Sequence, residues 1–167
     1  MGWLIDEIRS AQKKAIAAGM NFSVRLNGTS DLSPEQFHLE GVNILEIFPE
    51  VQFYDYTKVY KRIELTKKYT NYDITFSYSG SNAIQCMDAL NAGIRVAMVF
   101  EEVPANFLGY EVIDGDAYDM RYQDQGGVIV GLKYKKVRNK LDLSKSSFVI
   151  SQEKLNKSIS NGLPQTA

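Results

Sequence analysis

The sequence predicts an α/β protein, specifically a partial (half) β/α barrel with parallel strands followed by C-terminal strands. Three observations carry this expectation. First, segments with helical and strand periodicity alternate up to about residue 100 with short loops between them, the pattern of parallel strands joined by right-handed crossovers. Second, the strand segments are not the unbroken apolar runs of a sheet covered on both faces. Third, Arg25 and Asn27, Asp55, and Thr75, Ser77 and Ser79 interrupt successive strands. One sheet face should therefore be polar, as on the inside of a barrel. Four or five parallel strands are too few to close an eight-stranded barrel, so the C-terminal strands or a second chain should complete it.

Each element has its own justification. Residues 3–18 read as a helix, with Leu4, Ile5, Ile8, Ala11, Ala15 and Ile16 at helical spacing and Gly19 as the stop. Residues 22–27 read as a strand and residues 28–31 as a turn. Ser33-Pro34-Glu35-Gln36 predicts a capped helix start, with the helix running to Ile47 and ending before Pro49. Residues 51–57 form the second predicted strand, rich in aromatic and β-branched types. A polar helix is expected over 59–69 and a third strand over 72–78. Asn82 or Ser81 caps a helix over 83–92 that Gly93 stops, and residues 94–100 form a fourth strand. Beyond Pro104 the pattern changes. Residues 110–113 and 128–134 read as strands without a helix between them, and residues 147–150 as one short strand more. Residues 1–150 are expected to form a single α/β domain and 151–167 a flexible tail that can hold one helical turn.

Composition narrows the function classes. Nineteen basic and twenty acidic residues leave no net field for wholesale binding to nucleic acid or membrane. One cysteine, Cys86, and one histidine, His38, exclude an intramolecular disulfide, a zinc finger and a ferredoxin-type cluster. They also exclude any Ser-His-Asp triad not built on His38. Apolar runs are too short to span a bilayer, and charge follows three apolar residues at the start, so neither a membrane span nor a secretory signal is expected. The expected compartment is the cytoplasm.

Ligands of parallel α/β folds bind at the carboxyl ends of the strands. The ligand-binding residues expected there are Asn27, Thr29, Asp31, Asp55, Lys58, Ser77 and Ser79. Lys58 suits an anionic group, Asp31 or Asp55 hydroxyls or a metal, and the serines and Asn27 orientation. No dedicated metal site and no particular cofactor is predicted. The loops Gly28-Thr29-Ser30-Asp31 and Ser79-Gly80-Ser81-Asn82 lead towards helix starts that favour anions, yet neither matches a P-loop or a dinucleotide fingerprint, and turn plus cap is the simpler reading.

Other clusters have plain alternatives. Asp114, Asp116, Asp119 and Asp124 around Arg121 read as magnesium ligands or as a solvated loop with one ion pair. Lys133, Lys135, Lys136, Arg138 and Lys140 read as a phosphate-backbone contact or as a basic strand edge that resists sheet pairing. The middle tyrosines read mainly as packing, although Tyr56 is placed to stack on a ligand ring. Cys86 reads as a packed thiol and His38 as a surface or packing residue.

Several ordered segments carry a resemblance: Val24–Asp31, Phe48–Lys58, Thr75–Ser79, Val112–Asp116 and Gly127–Lys133. Across about residues 5–150 the chain resembles a family of uncharacterised proteins of bacteriophages and mobile elements. The resemblance implies longer members with an upstream cysteine-rich segment, similar to the cluster-binding start of radical S-adenosylmethionine barrels; that segment is absent here. The resemblance brings no settled activity. With the strand-end residues, the expected function is binding of a small polar or anionic ligand of nucleotide or S-adenosylmethionine type. The alternative that the resemblance implies is non-enzymatic binding and inhibition of a host macromolecule such as a defence component. The compartment is then the host cytoplasm, and a homodimer is a further expected state.

Overall fold

A computed structural model describes residues 2–135 and 146–160. The architecture is mixed α/β with a mostly parallel sheet. Contacts divide the chain into two compact units, Met1–Ile74 and Thr75–Ala167.

The first unit opens with helix α1, Gly2–Ala17, which buries Ile5, Ile8 and Ala15 and ends on Gly19 at φ +65°. Strand β1 is only Ser23–Val24, shorter than its alternation predicts, and pairs in parallel with β4, Gln52–Thr57. Between them the predicted helix over 34–47 does not form. Its place is taken by a 3-10 turn at Pro34–Gln36, an antiparallel hairpin of β2, His38–Leu39, and β3, Val42–Asn43, and a short helix α2, Ile44–Ile47.

The physical reason lies in two local signals. Ser33 makes no side-chain cap bond. The loop residues Glu40 and Gly41 both have positive φ, +53° and +84°, the requirement of a two-residue primed hairpin turn. The real helix start is Asn43, whose Oδ1 accepts from the backbone of Leu45 at 2.9 Å and Glu46 at 3.1 Å, while Glu46 Oε2 accepts from Asn43 N. Asn71 closes the other end, its Nδ2 donating to the carbonyls of Leu45 and Phe48. A single helical turn needs such caps because its own hydrogen bonds cannot repay nucleation. The polar helix expected over 59–69 is split into a 3-10 segment, Tyr60–Glu64, and α3, Leu65–Lys68.

Strand β5, Tyr72–Ser77, starts in the first unit and ends in the second. In the second unit it runs parallel to β6, Val96–Phe100, after helix α4, Ala83–Asn91. The other neighbour of β6 is β9, Ile129–Lys133, which pairs in parallel with β8, Tyr110–Asp114; β8 carries the antiparallel β7, Asn106–Phe107. The core of this sheet is Phe76, Val96, Phe100, Ile129 and Val130, each essentially without exposure. Strand β10, Val149–Ile150, lies parallel to the last residues of β6. Its approach passes over Gly80, where a Cβ would stand 2.6 Å from the Ser147 carbonyl carbon, so glycine is required there for space as well as for φ +95°.

Helix α5, Gln152–Ser160, buries Leu155 and starts at Ser151, whose carbonyl accepts from Leu155 N. Residues 161–167 lie outside the described residues, as do Lys136, Arg138 and Lys140 of the basic run. Among the described residues no helix is long and apolar enough to cross a membrane.

Candidate functional site

Strand β4 alternates between two environments. Gln52, Tyr54 and Tyr56 are half-buried, whereas Phe53, Asp55 and Thr57 are buried. Asp55 and Thr57 thus sit on the apolar side of their strand, where a polar group must find partners or cost several kcal/mol (roughly 2–7). The partners come from the loop after β1, from the 3-10 segment after β4 and from Tyr72 at the start of β5.

Asn27 donates its backbone N–H to Asp55 Oδ1 at 2.9 Å and its Nδ2 to Asp55 Oδ2 at 3.1 Å. Tyr72 donates its hydroxyl to the same Oδ2 at 3.0 Å and accepts from Arg62 Nη2 at 2.7 Å. Arg62 reaches Asp31 Oδ1 through Nη1 at 2.7 Å and stands 3.5 Å from Glu35 Oε2. Asp31 also accepts the Thr57 hydroxyl at 2.7 Å and the Lys58 N–H at 2.8 Å. Asn27 fixes its own loop by accepting from Ser30 Oγ and Leu32 N and donating to the Leu32 carbonyl.

One arginine therefore holds two carboxylates of the segment after β1, Asp31 and Glu35, and reaches Asp55 in β4 through the Tyr72 hydroxyl. Asp55 is 2% exposed and Arg62 5%, while the Asp31 side chain keeps 32% of its surface. Thr29 and the Lys58 side chain are exposed on the same two loops. Leu32 and Val59, adjacent in sequence to Asp31 and Lys58, are exposed apolar residues.

Burial pushes the Asp55 carboxyl above its ordinary range, against the bonds from Asn27 and Tyr72 and the charge of Arg62. The folded state then holds the proton more tightly than the unfolded chain. The stability contributed by protonation is complete below 3.8 and is lost as pH rises through the folded value. Asp55→Asn cannot titrate and lacks this component. Urea unfolding from acid to neutral pH should show wild type losing ground relative to Asp55→Asn as pH rises; a constant difference would refute the raised value.

Of the residues expected at the strand ends, Asn27, Asp31, Asp55 and the Lys58 backbone come together in the first unit. Ser77 and Ser79 belong to the second unit and serve a turn: Asn82 Nδ2 donates to the Ser77 carbonyl at 3.0 Å, and Asn82 Oδ1 accepts from Ser79 N at 2.8 Å. Asn82 is thereby diverted from capping α4, and no side-chain cap bond forms there. Thr57 belongs by sequence to the same strand end, whereas Arg62, Tyr72 and Glu35 are not among the residues expected from sequence. Their signal is Asp55 and Thr57 at strand spacing beside Phe53, a polar pair on an apolar stripe that demands a buried cation and donors.

The acidic loop is occupied by its own partners. Asp114 accepts from Asp116 N, Asp116 accepts from Lys133 N and pairs with Lys135 at 3.1 Å, and Asp124 pairs with the buried Arg121 at 3.2 Å. Arg121 also lies 4.5 Å from the Tyr118 ring centroid and donates to the Tyr118 carbonyl. Among the described residues no group of three or more histidine, cysteine or acidic side chains is arranged to hold a metal. Cys86 is buried, and burial pushes its thiol up to about 11, which suits packing and not nucleophilic attack.

Fold and cluster together define a mixed α/β protein with a mostly parallel sheet and a buried, arginine-centred polar network at the strand ends of its first unit. Residues 1–152 match the family described as Gene product 88, and the chain belongs to that family, a phage-type family of unknown function. No curated protein and no solved structure matches the chain.

Proposed function

We propose that the strand-end loops of the first unit form the mouth of a partial β/α barrel and bind a small polar ligand of nucleotide or S-adenosylmethionine type in the host cytoplasm. The observation that supports this most is the Asn27–Asp55–Tyr72–Arg62–Asp31 network. It fixes two loops from below while leaving Thr29, the Lys58 ammonium and one third of Asp31 facing outward. Buried charge beneath a preorganised rim is the arrangement that positions binding groups accurately. Asp31 has acceptor capacity for ribose hydroxyls, and Lys58 supplies the counter-charge for a phosphate or carboxylate. S-adenosylmethionine enters the ligand class through the cysteine-rich segment that the resemblance implies for longer relatives.

The test is a thermal-shift titration of the full chain with ATP, S-adenosylmethionine and magnesium. Ligand at about 100 times its dissociation constant adds roughly 2.7 kcal/mol, and each kcal/mol moves the midpoint of a chain this size by about 2–4 °C. Lys58→Ala removes an exposed ammonium, so the unliganded stability should stay within about 0.5 kcal/mol of wild type, roughly 1–2 °C in midpoint, while the ligand shift disappears. An unchanged ligand shift in Lys58→Ala overturns the assignment.

A second reading has its own observation. Phe37, Leu39 and Val42, on and beside the hairpin, are 54%, 41% and 40% exposed. Leu39 is paired with Val42 across the ladder, so both project from one face. Such a face suits a non-enzymatic protein that occupies a host macromolecule. Polar substitution of Leu39 and Val42 separates the readings, because it spares ligand shifts and removes host-protein binding.

A further inference from the structure

We infer that the outward face of α1 pairs with the same face of a second copy of this chain, in antiparallel orientation, to form a homodimer. Trp3, Asp6, Ser10, Lys13 and Ala17 recur at the alternating three- and four-residue spacing of a helix–helix seam, on the side turned away from the buried Ile5, Ile8 and Ala15. Trp3 is 76% exposed, an unusual position for the most interface-prone side chain.

Charge along the helix is split. Asp6 and Glu7 occupy the first half, where the one cationic side chain, Arg9, is turned over the Phe48 ring. Lys13 and Lys14 occupy the second, and among the described residues neither acid and neither lysine forms an ion pair. A two-fold axis through Ser10 uses every one of these features at once. It sets Ser10 against the partner's Ser10, where small side chains allow close approach of the helices. It also sets Asp6 against the partner's Lys14, Glu7 against the partner's Lys13, and Trp3 against the partner's Ala17, a large residue over a small one. Antiparallel helix dipoles favour the same orientation. In a parallel pair, each acid would instead face its own copy. Isologous contact of this kind closes on itself and leaves no patch open for further growth.

The experiment is sedimentation equilibrium of the full chain over a concentration series, with charge-exchanged variants. Wild type should approach twice the 18.8 kDa of the chain as concentration rises. Asp6→Lys/Glu7→Lys and Lys13→Glu/Lys14→Glu should each stay monomeric, and an equimolar mixture of the two should regain the dimer. Trp3→Ala should weaken association by about 30-fold. Ser10→Cys, oxidised, should give a covalent dimer, since Cys86 is buried and does not compete. All these positions are exposed, so thermal midpoints should match wild type apart from any loss due to dissociation. A wild-type chain that stays monomeric overturns the inference, as does a dimer indifferent to the charge exchanges or a Ser10→Cys variant that forms no cross-link.

Discussion

Asp55→Ala is expected to lower the unfolding free energy by about 3–5 kcal/mol, the range for removing one member of a buried charged network. For a chain of this size that is a fall of roughly 6–20 °C in thermal midpoint, measurable by melting the unliganded protein. The substitution strips the acceptor from Asn27 N, Asn27 Nδ2 and the Tyr72 hydroxyl together, and leaves Arg62 with less negative charge around it. The loop after β1 loses its anchor at the same time, since Asn27 also sets Ser30 and Leu32. Asp55→Asn keeps an acceptor for Asn27 N and should cost less, about 1–2 kcal/mol. Asp55 is therefore no neutral probe of ligand binding, and Lys58 is the residue to test first. A loss below about 1 kcal/mol in Asp55→Ala would mean that the carboxylate does not hold these loops.

Arg62→Ala should have a comparable effect, about 3–5 kcal/mol at neutral pH, from the opposite sign of charge. Without the guanidinium, Asp31 and the largely buried Glu35 lose their cation, and Tyr72 loses its donor. The two losses differ in their response to acid. The Arg62 charge opposes the rise that burial imposes on the Asp55 carboxyl. In Arg62→Ala that carboxyl therefore holds its proton more tightly, and urea unfolding in mild acid should show a smaller deficit than at neutral pH. The double variant Asp55→Ala/Arg62→Ala should lose less than the single losses combined, by about 1–3 kcal/mol, because both residues belong to one network through Tyr72. Additive losses would show that the two ends act independently.

Much of the first unit is legible from local pattern. The spacing of Leu4, Ile5, Ile8 and Ala15 and the stop at Gly19 define α1 within one or two residues. Alternation defines β4 and β5, because period two is imposed by the backbone and needs no knowledge of neighbours. Residues 34–47 mislead because a Ser-Pro-Glu-Gln start competes with a Glu-Gly turn and an Asn-x-x-Glu start. Only the closing contacts from Asn71 and Tyr69, more than twenty residues away in sequence, favour the second combination.

By itself the sequence determined the class of fold, α/β with a mostly parallel sheet, and, with a single cysteine, the impossibility of a disulfide within the given sequence. Both follow from composition or from periods of two and 3.6 residues, which act over short distances along the chain. Tertiary structure alone decided what the polar residues of the strand ends do. It turned Asp55 towards Tyr72 and Arg62, joined Asp31 to the Lys58 backbone, and gave Ser77 and Ser79 to the turn held by Asn82. Whether a carboxylate faces solvent or an arginine depends on which distant segment fills the space beside it, and packing, not local propensity, sets that.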